Sequence, residues 1–339
     1  MRDFGRYPSF RPSLDCPPTP PAGVTHVFAK AKHMQKRIGG NNMKQDIYQQ
    51  VTDRIITQLE QGVVPWKSPY FSKVGFPQNF STGKAYQGIN VFLLGSLRFT
   101  SPYFLTFIQA KELGGHVRKG ERGSLVVKYG TYTKEDEHAA TGEDPETRRF
   151  LKAYTVFHAS QIEGIEFPAV ENLPELSLTE KTARARNIVA GMPNAPVIKE
   201  GKAIPCYRPG TDSVHMPEAG FFGSEEEYYS TLFHELAHST GHSKRLARKS
   251  LLENKGIDAG GDTAIKTYAE EELLAEMGAS FLNAHAGIME DELSNSAAYL
   301  QSWINALKSK DAKGWIIRAA SQAQKAANYI LNTQPEEVA

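Results

Sequence analysis

Apolar residues first recur at helical spacing in "MKQDIYQQVTDRIITQLEQG", where Ile47, Val51, Ile55, Ile56 and Leu59 share one face and Gly62 stands where the helix would stop. "AYQGINVFLLGSL" and "SPYFLTFIQAKELGG" read as two further helical pieces, the second with Ser101 as N-cap and Gly114 as its stop. The period then changes. "GSLVVKYGTYT" alternates and is β-branched, and "FLKAYTVFHASQI" does the same, so the two predict a hairpin closed by the polar stretch at 134–149. The two prolines of "EGIEFPAVENLPELS" (163–177) mark a linker. Beyond it, "LTEKTARARNIVAGM" predicts a helix capped by Thr179, and "PVIKEG" and "CYRPGTDSVHMP" predict short strands. Ser224 and Glu227 have the spacing of a capping box before "YYSTLFHELAHSTG". Three more helices follow over "TYAEEELLAEMGASFLNAHAG", "SNSAAYLQSWINALKS" and "KGWIIRAASQAQKAANYIL".

This pattern predicts an α+β chain in two parts: a basic α/β domain over 43–162, then a mainly helical domain with a small sheet over 178–339, joined by the linker 163–177. Residues 1–42, with "SFRPSLDCPPTPPAG", are too rich in proline to pack a core and read as a disordered extension. Met43 is then a candidate start. No stretch is long and apolar enough to span a membrane, and no early segment reads as a secretion signal. Two widely spaced cysteines, Cys16 and Cys206, fit a reducing compartment, so the expected location is cytoplasmic. The net charge is only +1, yet residues 1–130 hold 18 Lys+Arg against 7 Asp+Glu, and residues 131–339 hold 21 against 31. That split points to a polyanion meeting the front half.

The chemistry is concentrated in "FHELAHSTGH" (233–242). His234 and His238 lie four residues apart, which on a helix brings them within about 40° of each other, one turn apart, so both imidazoles reach one ion. Glu235 flanks that face, where it can take a proton from an attacking water, and zinc lowers the pKa of water to about 7. A catalytic zinc needs a third protein ligand. His242 lies eight residues after His234, about 12 Å along an unbroken helix. The better candidates are Glu272 and Glu276 in "EEELLAEMGASFL", an otherwise apolar helix on which a carboxylate needs a partner. The alternative reading makes Glu270, Glu271 and Glu272 a solvated acidic helix start, favourable to the dipole.

"HELAH" followed by "EELLAE" is similar to the gluzincin metallopeptidases. The resemblance implies that Glu272 is the third ligand and that Glu276, in the place of an Asp, hydrogen-bonds a ligand histidine. "FHELAHSTGHSKRL" with "YAEEELLAEMGASFL" resembles the metallopeptidase domain of ArdC-type antirestriction proteins. "DIYQQVTDRIITQLEQGVVPWKSP", "NFSTGKAYQGIN" and "FLTFIQAKELGGHVRKGERG" resemble the amino-terminal domain of the same family. The match covers about residues 43–335. It implies a zincin-like fold for the second domain, one Zn2+, a front domain that binds single-stranded DNA, and a role in shielding incoming plasmid DNA from host restriction during conjugation.

The residues of the front domain suit that partner. Residues 43–130 hold 11 Lys+Arg against 5 Asp+Glu, with 13 aromatic residues, and single strands want cations for phosphates and rings for unpaired bases. The candidate contacts are Trp66, Lys67, Tyr70 and Phe71 beside prolines, Lys84 and Tyr86, the turn "GGHVRKGERG" with His116, Arg118, Lys119 and Arg122, and Lys128 beyond it. Many of these rings must also build the core of so small a domain. Two other readings stay open: a stand-alone cytoplasmic zinc endopeptidase whose front domain recognises a host protein substrate, and a non-catalytic binding protein with a structural metal.

Overall fold

The computed structural model describes residues 46–67, 75–97, 99–133, 147–169, 176–201, 204–252, 262–288, 297–308 and 314–333. The proposed extension 1–42, the candidate start Met43, Tyr70, Phe71 and the hairpin tip 134–146 lie outside them. Helix α1 (Ile47–Glu60) starts on Asp46, whose carboxylate accepts from the Tyr48 N–H, and ends before Gly62 at φ +81°. Strand β1 (Gln78–Asn79) precedes α2 (Ile89–Gly95), in which every residue is buried.

The segment read as one helix from Ser101 divides instead into β2 (Tyr103–Thr106) and α3 (Phe107–Glu112). The cap is Thr106, paired with Gln109 in a reciprocal capping box. The residues before it, Phe104 and Leu105, face His158 and Phe157 across a ladder, so strand pairing claims them first. Then come β3 (His116–Val117), β4 (Ser124–Thr133), β5 (Thr147–His158) and β6 (Ile162–Glu163). One sheet has the order β1-β2-β5-β4, with β1 and β2 parallel and the rest antiparallel; β3 and β6 form a two-stranded ribbon. The predicted hairpin is β4–β5, with β5 already under way at Thr147.

In the second half, α4 (Leu178–Gly191) is capped by Ser177 with Glu180, not by Thr179, because Ser177 and Glu180 have the capping-box spacing. Strands β7 (Val197–Gly201), β8 (Cys206–Arg208) and β9 (Ser213–Pro217) form a sheet in the order β7-β9-β8. Helix α5 (Glu225–Ser239) starts on Ser224, which accepts from the Glu227 N–H, while the Glu227 carboxylate reaches back to the Gly223 N–H at 2.8 Å. Helices α6 (Lys249–Leu252), α7 (Asp262–Ala286), α8 (Ala297–Lys308) and α9 (Trp315–Ile330) follow among the described residues. None of the described helices is long and apolar enough to cross a membrane.

The hydrophobic core runs through both halves without a break. Val51, Ile55, Trp66 and Phe92 belong to the same buried cluster as Phe233, Leu273, Phe281 and Ile316. Trp66 is wholly buried, edge-on to Trp303 at 5.9 Å, with its indole N–H 3.4 Å from the Tyr299 hydroxyl. Phe92 packs on Phe281 at 4.9 Å, and Gln324 accepts a hydrogen bond from the Gly88 N–H. The start of the linker also packs: Ile165 and Phe167 lie against Leu105, Ala110 and Ile162.

Because one ring spans the seam, Trp66→Ala should destabilise the whole chain, by about 3–5 kcal/mol. Urea unfolding followed by far-ultraviolet circular dichroism and by fluorescence should show one transition moving as a unit. A second transition left at its original midpoint would show instead that the helical half folds independently of the front half.

Candidate functional site

Helices α5 and α7 cross where their side chains are smallest. A Cβ on Gly278 would lie 3.0 Å from the Ala237 Cβ, so the absence of one lets the helices close up. Ala237 sits between Glu235 and His238 in sequence, so this approach brings the carboxylates of α7 onto the imidazoles of α5. His234 Nε2 and His238 Nε2 face each other at 3.0 Å. Glu272 places Oε2 3.5 Å from His234 Nε2 and Oε1 3.5 Å from His238 Nε2. One ligand atom from each of the three lies within 4.8 Å of the others, and all three side chains are buried.

Two oxygens at this junction, Glu235 Oε1 and Glu272 Oε1, are buried without a hydrogen-bond donor. Buried carboxylate oxygens without a donor are expensive, and a cation between the helices would satisfy them. Two imidazoles and a carboxylate make a borderline-to-hard donor set that could hold a divalent metal ion. Glu235 is almost fully buried, and desolvation raises its pKa even though the neighbouring histidines and a hydrogen bond from the Tyr207 backbone work the other way. For His234, burial alone would disfavour the imidazolium, but the Glu272 carboxylate, with Glu235 and Glu276 behind it, outweighs that and pushes the pKa up to about 9.

His242 is not part of this junction. The helix ends at Ser239, and His242 Nδ1 comes to 3.8 Å from Asp212 Oδ2 instead. Glu276 is half-buried one turn beyond Glu272, and no hydrogen bond joins it to either imidazole. The carboxylate facing His238 Nδ1, at 3.5 Å, is Glu271. The acidic run 270–272 is no helix start either, since α7 begins at Asp262.

The residues singled out in the front half scatter. Trp66 is core, so its ring is closed to a base. Lys67 holds its ammonium 4.8 Å over the Tyr299 ring. Tyr86 is half-buried, edge-on to Phe104 at 6.3 Å, and Lys84 is half-exposed. His116 is exposed beside Glu163 at 3.3 Å, and Arg118 is held by Glu121 at 2.7 Å. Lys119 and Arg122 are exposed in the same turn, which Gln161 anchors by donating to Glu121 and to the Arg122 carbonyl. Lys128 is exposed on β4, directly opposite Lys152 on β5. Tyr154, 42 % exposed, lies on that face two residues along, and Tyr129, 51 % exposed, lies on the other. Sequence reading had missed Lys152, Tyr154 and Tyr129. Their signal was the alternation of β4 and β5, which gives the exposed face once the register is known.

The folded pKa of His234 lies above its ordinary value of 6.5, so the stability it contributes to the metal-free protein is complete below pH 6.5 and is lost as pH rises through about 9. A metal must displace that proton. Metal affinity should therefore rise by about tenfold per pH unit up to pH 9 and flatten above it. Calorimetric titration with Zn(II) or Mn(II) in buffers of different ionisation enthalpy measures the released proton, and a flat affinity over this range would contradict the arrangement. In the same titration Glu272→Ala should abolish tight binding, and His242→Ala should leave it unchanged.

Known proteins resemble the chain over both halves. Residues 45–157 match the N-terminal domain of anti-restriction factor ArdC, and residues 184–322 match a zincin-like metallopeptidase family. Protein y4eC of Sinorhizobium fredii (strain NBRC 101917 / NGR234) is 33% identical over 302 residues, which cover 86% of this chain and 93% of y4eC. A DNA primase TraC of Escherichia coli is 34% identical over 87% of this chain. The chain spans only 28% of that primase's length, and 22% of a second Escherichia coli DNA primase TraC. The crystal structure of antirestriction ArdC from plasmid R388, in its metal-free form, aligns with a TM-score of 0.63 at 40% identity, covering 86% of this chain and 100% of that one. Its Mn(II)-bound structure aligns equally well, with a TM-score of 0.63 at 39% identity over 85% of this chain and 97% of that one. The chain belongs to the ArdC antirestriction family, with an ArdC-type N-terminal domain followed by a zincin-like metallopeptidase domain.

Proposed function

We propose that this protein binds single-stranded DNA through its front half, carries a zinc peptidase site in its second half, and protects incoming plasmid DNA from restriction in the cytoplasm of the host. The observation that carries the peptidase part is the pairing of the ligand triad with Glu235. A divalent ion held there would polarise a scissile carbonyl and acidify water. Glu235 offers a buried carboxylate whose Oε1 has no donor and whose pKa is raised, which suits a group that accepts a proton and returns it to a leaving amine. A structural zinc is usually closed by four protein ligands, whereas among the described residues three converge, which favours an open position and a protein substrate of the host.

The DNA part is supported by the β4–β5 hairpin and the turn before it. Like charges directly opposite each other on a ladder are unfavourable, and Lys128 faces Lys152 in that way. A phosphate lying across the pair turns that cost into attraction. Tyr154 adds an exposed ring on which an unpaired base can stack, and Lys119 and Arg122 extend the positive surface.

Glu235→Gln should keep metal affinity and thermal stability while abolishing hydrolysis of a quenched fluorescent casein, tested with and without oligothymidylate. Undiminished turnover in that variant would remove Glu235 from the role of base, and turnover of the parent that ignores DNA would favour a plain endopeptidase. Binding of labelled oligothymidylate, measured by anisotropy at several salt concentrations, should exceed binding of duplex. Lys128→Ala with Lys152→Ala should flatten the salt slope by roughly 1.4 units, at about 0.7 per phosphate contact on single strands. Tyr154→Ala should weaken binding without changing the slope. Equal, weak binding of single strands and duplex would overturn the assignment.

A further inference from the structure

Glu271 is an expensive residue. It is buried on an apolar helix, directly before the ligand Glu272, and no solvent reaches its carboxylate. Its charge is held by Arg248, itself buried, which donates through Nη2 to Glu271 Oε1 and through Nε to Oε2 at 3.4 Å; the Ser250 hydroxyl donates to Oε2 at 2.8 Å. A buried ion pair is weak evidence for stability, because a well-packed apolar pair does as well or better. Something other than stability is needed to explain its presence here.

The geometry supplies it. Arg248 also ties down the end of the histidine-bearing helix. Its Nη2 donates to the carbonyls of Ala237 at 3.0 Å and His238 at 3.1 Å, and its Nη1 donates to Thr240 Oγ1. The chain returns to that position through Ala247 at φ +47°, a left-handed conformation that costs a non-glycine residue about 1–2 kcal/mol. One guanidinium thus fixes both the last turn of α5 and the Glu271 carboxylate of α7. On the other side of that carboxylate, His238 Nδ1 is buried with no hydrogen-bond partner, and Glu271 Oε1 is 3.5 Å away. His238 Nε2 points at His234 and Glu272.

We propose that Glu271, clamped by Arg248, is a positioning residue that takes the Nδ1–H of His238 and so presents the Nε2 lone pair to the metal. The arrangement uses a general rule: a ligand histidine donates its other ring N–H to a carboxylate, which fixes its tautomer and raises its basicity. Glu271 touches neither metal nor substrate, and it takes the role that the gluzincin pattern assigns to the position of Glu276. The proposal rests on the metal-site reading above.

Metal affinity of the full chain, by competition with a chromophoric chelator for Zn(II), and the visible spectrum of the Co(II) form test it. The thermal midpoint without metal serves as the control. Glu271→Gln should bind metal about 10–100-fold more weakly and alter the Co(II) spectrum. Glu271→Asp separates positioning from ion pairing. The shorter acid still lets the long Arg248 side chain follow it, so the midpoint should recover, but it retreats from His238, so affinity and spectrum should stay impaired. Recovery of affinity together with the midpoint in Glu271→Asp would reduce Glu271 to a partner of Arg248 and overturn the proposal, as would a Glu271→Gln variant that binds like the parent. A parent chain that binds no metal would instead bring down the metal-site reading itself.

Discussion

The crossing of α5 and α7 is the constraint on which the rest depends. Three ligand atoms from two helices can converge only if the backbones approach closely, and the approach is set by Ala237 against Gly278. A side chain at Gly278 would press on Ala237, next to His238, and push the two helices apart. The clamp of Arg248 then holds the end of one helix to the middle of the other. Neither device is chemistry; both hold buried charged groups in fixed positions.

The front half takes part in that constraint. Helix α7 carries Glu272 near its middle and Phe281 further on, and Phe281 is covered by Phe92 from α2. Asn90, two residues earlier, donates to the Val127 carbonyl at 2.7 Å and accepts from the Val127 N–H at 2.8 Å, which pins α2 to β4. Lys128 follows directly. The surface proposed for DNA and the helix that carries Glu272 are therefore joined by packed side chains and two hydrogen bonds. That continuity is a physical connection, not a demonstrated switch, because a coupled transition needs an element with two arrangements.

Legibility in the sequence followed how local each cause was. His234, Glu235 and His238 could be grouped because helix periodicity converts spacing into direction, whereas the apolar helix left both Glu272 and Glu276 open and only the gluzincin resemblance singled out Glu272. The hairpin, α1 and α9 were legible for the same reason of period. Ser101 and Thr179 were misread as caps where better capping boxes stood nearby, at Thr106–Gln109 and Ser177–Glu180. Trp66 was misplaced for a deeper reason. Composition counts rings but cannot say which side of a fold they face, and the core across the seam needed this one. Glu271 was hidden because its partners, Arg248 and His238, come from other segments brought in by the crossing.

The charge split takes on meaning once the sites are placed. Residues 1–130 carry an excess of 11 positive charges, and residues 131–339 an excess of 10 negative charges. Several acids of the second half do serve structure: Glu270 meets Arg318, Glu226 meets Lys181, and Glu225, Glu226 and Glu227 lie in the first turn of α5, where the helix dipole favours them. Their sum still gives the second half a negative field. On the single-strand reading, that field directs a polyanion to the Lys128–Lys152 face and away from the cation site, where phosphate oxygens would compete with a peptide carbonyl. One chain can then hold a nucleic acid and a metal-dependent site without the first occupying the second.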